Sequence, residues 1–237
     1  MDRPSLRYKI PLFLFALLLS VVVSGGCTSG LTMFMYLFKG TNVDPEYKYL
    51  KGKTVAVVVR PVVDLQYNNP NVPQDLARQI GIDLQKNVSK IKVIDQQKVS
   101  AWCDENNPED IAALGKALKA DMVVSIELGG FDLYQGQTIY QGRAIASIQV
   151  IDCRNEEKRA KDKNLPKKDK DCSDNNIVFE KSLPETKYPP NTGIPTSEKQ
   201  PYEFRQEFIK VLADQIARHF YEHDSNADFA QDATSLR

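Results

Sequence analysis

The sequence contains little of the material from which histidine-based catalytic or metal sites are built. Two His residues, one Trp and four Cys occur among 237 residues. No two Cys have the C-x₂-C spacing typical of a zinc site. There is no G-x-S-x-G segment, which the serine hydrolases use to present their nucleophile. We therefore expect no resident metal, no cofactor and no enzymatic activity.

The chain also lacks an excess of charge of either sign. It has 31 Lys+Arg and 31 Asp+Glu, and 42% of its residues are hydrophobic. A nucleic-acid-binding domain would show a basic surplus, and a multi-span membrane protein would be more apolar. We expect a globular body without a nucleic-acid partner and without a small-molecule substrate.

The N-terminus has the pattern of a secretory signal. Basic residues Arg3, Arg7 and Lys9 precede an apolar run from Ile10 to Val23, and small residues follow it. The run is shorter than the ~20 residues that a helix needs to cross a bilayer. The pattern therefore predicts that the body of the protein lies outside the cytoplasm.

The segment Ser24-Gly25-Gly26-Cys27 resembles the lipobox of bacterial lipoproteins, although Ser24 stands where that family usually has Leu. The resemblance implies cleavage before Cys27, removal of the signal peptide 1–26, and attachment of acyl chains such as palmitate to Cys27. Several acyl chains hold a protein stably on a membrane. Two alternatives remain: an uncleaved signal anchor, which the apolar residues 31–38 would extend, and ordinary cleaved secretion.

An extracytoplasmic location permits disulfides, and Cys103, Cys153 and Cys172 remain after Cys27. Cys153 and Cys172 bracket a charged insertion over residues 154–172, so a bridge between them would close the base of a loop. The alternative is two free thiols at strand ends. Cys103 follows Trp102 in a helical stretch and is expected to be a small packed residue.

Hydrophobic periodicity predicts one α/β (α+β) domain over residues 53–222, with a single mixed β-sheet of about five strands and helices packed on it. The predicted order is βαβααβββα. The predicted strands are Thr54–Val59, Ile91–Ile94, Met122–Leu128, Arg143–Ile151 and Ile177–Leu183. The predicted helices begin at Pro73, Gln97, Asn107 and Tyr202, and the last one runs to about Tyr221. Residues 27–52 hold the lipid-anchored Cys and a short linker in this prediction, and residues 223–237 form a disordered tail.

Residues 112–124 (AALGKALKADMVV) resemble the helix-to-strand segment of a family of bacterial envelope proteins. That family includes the TolB amino-terminal domain, the curli-export lipoprotein and the penicillin-binding-protein activator LpoB. The resemblance covers most of the body and implies a lipid-tethered, non-catalytic module that binds a protein partner or itself in the periplasm. The hairpin near Tyr134 looks more like that of a separate lipoprotein subgroup than like the hairpins of these three proteins.

A short internal repeat, Leu-Tyr-Gln-Gly and then Ile-Tyr-Gln-Gly, places Tyr134 and Tyr140 six residues apart on the predicted hairpin. The two rings either form an aromatic rim for a partner or pack on the sheet. A Pro-rich stretch from 184 to 201 is predicted to be an extended strap that covers a sheet edge.

His219 and His223 are spaced as i, i+4 and favour a solvated helix end. The alternative function is an envelope hydrolase or metal-dependent enzyme. It requires a concave pocket with converging acids or with both His residues.

Overall fold

The computed structural model describes residues 42–61, 70–154 and 176–224. The described residues from Val43 onward belong to one compact unit. Within the described ranges, no helix is both long enough and apolar enough to cross a bilayer. The signal segment, Cys27, Cys172 and most of the charged insertion lie outside the described residues.

The strands are β1 (Asn42–Val43), β2 (Thr54–Pro61), β3 (Lys92–Val93), β4 (Met122–Gln135), β5 (Ile139–Asp152), β6 (Ile177–Ser182), β7 (Thr186–Tyr188), β8 (Ile194–Pro195) and β9 (His223–Asp224). The helices are α1 (Val72–Asn87), α2 (Gln96–Glu105), α3 (Ile111–Ala117) and α4 (Pro201–Ala217), and a 3₁₀ turn follows over Arg218–Phe220. The mixed α/β class predicted from the sequence is confirmed.

The main sheet has seven strands in the described part of the chain, more than the five predicted. β2 pairs in parallel with β3 on one side and with β4 on the other, so the sheet begins as an α/β unit. β4 and β5 then form a long antiparallel hairpin, and β6 extends the sheet beyond β5. β1 and β9 form a separate two-stranded sheet.

The extra strands come from the Pro-rich stretch. β7 and β8 both pair with the outer half of β5, from Ile139 to Ala144. The strap therefore covers a sheet edge, as the sequence predicts, but it does so as two short hydrogen-bonded strands. Pairs this short leave no alternating pattern in the sequence, which is why they were not predicted.

Two hydrophobic cores lie on opposite faces of the sheet. α1 and α4 cover one face, where Leu76, Ile80, Phe208 and Leu212 pack against inward residues of β2, β4 and β5. α2 and α3 cover the parallel part of the other face, where Val99 and Leu114 pack on Ala56, Val58, Val123 and Ile151. Strands β2 and β4 are therefore buried on both sides, in agreement with their continuous apolar sequences.

The structure differs from the sequence prediction at the start of the domain. Tyr47 and Leu50, within the predicted linker, are buried in the larger core. The ring of Tyr47 lies 5.3 Å from that of Phe179 and 6.3 Å from that of Phe220, and the Tyr47 N–H donates to the His219 carbonyl at 2.9 Å. The folded body therefore begins before Lys53.

Two helix ends also differ from the prediction. α3 begins at Ile111 with Asp110 as its N-cap, whose Oδ1 accepts from the Ala113 N–H at 2.9 Å. Asn107, the predicted cap, instead closes the preceding turn by accepting from the Glu109 N–H at 3.0 Å. α4 ends at Ala217, so the predicted helix to residue 221 is shorter by one turn.

Candidate functional site

The β4–β5 hairpin places the two predicted partner-binding tyrosines at paired positions. Tyr134 lies opposite Tyr140 in the ladder, and their ring centroids are 5.2 Å apart. Tyr140 is only 2% exposed and stacks on Phe204 at 4.7 Å, whereas Tyr134 is 41% exposed. The structure thus brings the two rings together but leaves only Tyr134 accessible. Tyr140 is a core residue and not part of an aromatic rim.

Two aliphatic side chains on the same hairpin also reach solvent. Ile139 is 37% exposed and Ile145 is 53% exposed. Ile145 points away from its buried neighbours Ala144 and Ala146, and it lies opposite Gly130, which has no side chain to cover it. The sequence analysis did not identify Ile145 as an exposed apolar residue. Its odd position in β5, between the inward-facing even positions, could have indicated this, because side chains of a strand alternate between its two faces.

A cavity of about 580 Å³ lies where β2 ends and its parallel pairing with β4 stops, in the middle of β4. It is bounded by Arg60, Pro61 and Glu127 from these strands and by residues of α2. In open α/β sheets, ligands often bind at such carboxyl ends, where the chain connections diverge to opposite sides. The volume is in the range of small-molecule sites. Sequence reasoning did not anticipate this cavity.

The side chains in this cavity carry charges of both signs. Arg60 and Glu127 stand at paired positions, but the Arg60 Nε donates to Ser125 Oγ at 3.1 Å instead of pairing with Glu127. Cys103 also lines the cavity, and burial together with Asp104 raises the pKa of its thiol. A thiol with a raised pKa is a poor nucleophile, as expected for a packed Cys.

A second cavity, of about 410 Å³, contains both His residues. His219 Nδ1 is 3.3 Å from Glu46 Oε1, and Lys181 Nζ also bonds that carboxylate. Only 18% of the His219 side chain is exposed, so the predicted solvated helix end is wrong for this residue. His223 lies in β9, and the two rings do not share a helical face.

The electrostatics of this second cavity follow from burial. Burial lowers the pKa of His219 below its ordinary value of 6.5, so the ring is neutral at pH 7. The hydrogen bond from Lys181 lowers the pKa of Glu46. The hydroxyl of Thr186 lines the cavity but donates to Gln215 Oε1 at 2.6 Å. No set of three or more His, Cys, Asp or Glu that could hold a metal occurs among the residues that the structure describes.

The predicted bridge between Cys153 and Cys172 stays a prediction, because Cys172 lies outside the described residues. Cys153 itself packs closely on α3: a Cβ added at Gly115 would lie 2.2 Å from its Sγ. The predicted lipidation at Cys27 is likewise outside the described part of the chain.

No protein-family model matches the chain, and no curated protein matches it. Solved structures that are similar include a PelC dodecamer from Paraburkholderia phytofirmans, with 7% identity and a TM-score of 0.41 over 76% of this chain and 96% of that one. They also include lipoprotein GNA1162 from Neisseria meningitidis, with 12% identity and a TM-score of 0.39 over 69% of this chain and 97% of that one. Similarities at this level carry no argument about activity, ligands or partners.

Proposed function

We propose that the chain is a bacterial lipoprotein, anchored by acyl chains on Cys27, whose periplasmic α/β domain binds an envelope protein without catalysing a reaction. The observation that carries the partner-binding role is the pair of exposed aliphatic side chains Ile139 and Ile145, which share one face of the β4–β5 hairpin. The exposed Tyr134 lies on the opposite face, beside Tyr140. Apolar and aromatic side chains held in a fixed position are the usual anchors of protein interfaces.

The hairpin is a rigid support for these side chains. Phe131 of β4 stacks on Phe208 of α4 at 5.1 Å, and Tyr140 of β5 stacks on Phe204. β7 and β8 hold the outer edge of β5. Because the hairpin is already ordered, it would lose little conformational entropy when a partner binds.

The partner-binding role is tested by site-specific photo-crosslinking in cells. A photoreactive phenylalanine analogue replaces Tyr134, Ile139 or Ile145, and Ile82 on α1, which is 51% exposed, serves as the matched control. We expect one protein adduct of the same mass from positions 139 and 145 and none from position 82. An adduct of that mass from position 134 as well would show that the partner also reaches the opposite face of the hairpin. Equal adducts from all four positions would show that the hairpin is not selective.

The anchor is tested separately by intact mass and lipid labelling of the membrane fraction, with wild type beside Cys27→Ala. We expect label on Cys27 and loss of residues 1–26. An unlabelled full-length chain would indicate a signal anchor, and an unlabelled chain without the signal segment would indicate ordinary secretion.

A hydrolase at the His219 cavity is the second candidate function, because the contact between His219 and Glu46 resembles a base with its orienting carboxylate. It is tested with an activated ester and the wild-type chain beside His219→Gln. A rate above background that His219→Gln abolishes would support the hydrolase. A wild-type rate equal to the background rate would exclude the hydrolase.

A further inference from the structure

We propose that the end of the domain at which the parallel strands begin rests on an anionic phospholipid surface. We call this end the basic end and define it by Lys51, Lys53, Lys90, Lys92, Lys116 and Lys119. The inference rests on the proposed membrane tether and adds to it an orientation and a lipid class.

The sheet places these lysines in one row. The Lys92 N–H donates to the Lys53 carbonyl at 2.9 Å, and the Asp121 N–H donates to the Thr54 carbonyl at 2.8 Å. The Cys153 N–H continues the row by donating to the Asp121 carbonyl at 3.0 Å. The starts of β2, β3 and β4 and the end of β5 therefore lie side by side, and the turns that lead into them carry the lysines.

Two of these lysines occupy positions where lysine is unusual. Lys90 follows α1 with a φ of 59°, and Lys119 follows α3 with a φ of 55°. Glycine or asparagine is the common residue in this conformation after a helix, because a side chain there is strained. Both positions instead expose a long cation, and lysine at the carboxyl end of a helix also matches the negative end of the helix dipole.

The carboxylates at the basic end are held by hydrogen bonds or ion pairs. Among the described residues of this end, they belong to Asp121 and Asp152. Asp121 Oδ2 accepts from the Thr54 N–H at 2.9 Å. The side chain of Asp152 is 0% exposed and pairs with Arg154 at 2.8 Å. Among the described residues, the charges that this end exposes are therefore mainly positive.

The opposite end of the parallel sheet exposes five carboxylates, with Arg60 as a cation in the cavity between them. They belong to the end of α2, the α2–α3 connection and the middle of β4: Asp104, Glu105, Glu109, Asp110 and Glu127. A domain with separated charges turns its positive end towards a negative surface. The two ends together favour one orientation of the domain on an anionic bilayer and disfavour the reverse.

The basic end also has a depression of about 400 Å³, lined by Lys116, Lys119, Asp121 and Arg154. Exposed ammonium groups around a shallow concavity suit a phosphate-bearing headgroup better than an apolar partner. Lysines near the cytoplasmic leaflet bind anionic lipids through the same electrostatic attraction, which salt weakens.

The test uses the full chain in proteoliposomes of phosphatidylcholine, with or without about 30% phosphatidylglycerol, a content chosen to give a clearly negative surface. A membrane-impermeant amine reagent labels accessible lysines, which are quantified by peptide mass spectrometry. Lys187, on β7 at the far end of β5, is the internal reference. We expect labelling of Lys90, Lys92, Lys116 and Lys119 to fall about three-fold or more with phosphatidylglycerol and to recover in about 0.5 M salt.

A charge variant and a matched control complete the test. With Lys90, Lys92, Lys116 and Lys119 all changed to Gln, Lys51 and Lys53 should stay fully labelled on phosphatidylglycerol. Lys187→Gln should retain the wild-type protection. Labelling that is equal in the two vesicles would overturn the proposal, and so would protection that is already complete on phosphatidylcholine alone, since another copy or a protein would then cover this end.

The outcome is separate from that of the anchor. The intact mass of the same preparation reports whether Cys27 carries lipid. A full-length chain without lipid still holds its apolar segment from Ile10 to Val23 and still reconstitutes. A chain that lacks both lipid and signal segment is added to preformed vesicles of the same two compositions, so the lysine labelling is informative in each case.

Discussion

Tyr134 and Tyr140 face each other across the β4–β5 hairpin with their ring centroids 5.2 Å apart, yet one is 41% exposed and the other 2%. The difference arises from α4, whose Phe204 stacks on Tyr140 and does not extend over Tyr134. One tyrosine therefore holds the hairpin on the core, and the other is available to a partner.

Alanine substitutions should separate these two roles. Tyr140→Ala leaves a cavity beside Phe204 and should lower the free energy of unfolding by about 3–5 kcal/mol. Tyr134→Ala removes a surface ring and should lower it by less than about 1 kcal/mol. Urea denaturation measures both. Equal losses would mean that the exposed ring also supports the fold.

The buried ion pair of Asp152 and Arg154 should be costly to break. Their side chains are 0% and 5% exposed. Asp152→Ala leaves a buried guanidinium without its carboxylate and should lower the free energy of unfolding by about 3 kcal/mol. The double variant Asp152→Ala/Arg154→Ala should lose less than the sum of the single variants. Additive losses in the denaturation curves would show that the two charges do not depend on each other.

Three glycines of the hairpin should respond differently to alanine. A Cβ at Gly142 would lie 2.6 Å from the ring of Phe208, so Gly142→Ala should cost about 2–3 kcal/mol through overpacking. Gly136 has open space but a φ of +70°, and Gly136→Ala should cost about 1 kcal/mol. Gly129→Ala meets no atom closer than 3.7 Å and is the control. A Gly142→Ala variant as stable as Gly129→Ala would contradict the close contact with α4.

Asp83 on α1 should make the protein less stable as the pH rises. Burial, with a smaller contribution from Asp214, raises the pKa of Asp83 above its ordinary value of 3.8. Gln79 Nε2 donates to its Oδ1 at 3.2 Å, and Oδ2 is buried without a hydrogen-bond partner in the described part of the chain. The folded state therefore binds the proton more tightly than the unfolded state, and this stabilisation is lost as the pH rises through the folded-state pKa.

Asp83→Asn removes the charge and keeps the shape. We expect the variant to have a higher urea midpoint than wild type at pH 7 and nearly the same midpoint at about pH 3, where the carboxyl is protonated in both states. Asp104→Asn, at an exposed position on α2, is the control for a change of net charge. A constant difference across the pH range would exclude Asp83 as the titrating group.

The sequence predicts the central elements well because their apolar patterns are local. The continuous β-branched run from Thr54 predicts β2, and the i+4 stripe from Leu76 predicts α1. Long-range contacts decide the rest. Tyr47 and Leu50 show no periodicity, and their burial depends on Phe179 and Phe220, which lie far away in the sequence.

The candidate sites were less predictable than the fold. The short repeat around Tyr134 and Tyr140 correctly indicates a hairpin. Which of the two rings is buried depends on where α4 begins, because Phe204 in its first turn covers Tyr140. The basic end joins lysines from three separate segments, and a net charge of zero conceals their separation from the acids of the opposite end. Parallel strand pairing, which brings these turns together, is not visible in composition.

The strap over β5 also determines how densely this protein can be crowded. An outer half of β5 without β7 and β8 would present unpaired backbone N–H and C=O groups, along which strands of neighbouring copies add and aggregate. The strap ends this row with Pro195 at the pairing position of Ile139, and proline has no N–H to offer. Many copies concentrated on one membrane can therefore touch at this edge without their strands pairing into one continuous sheet.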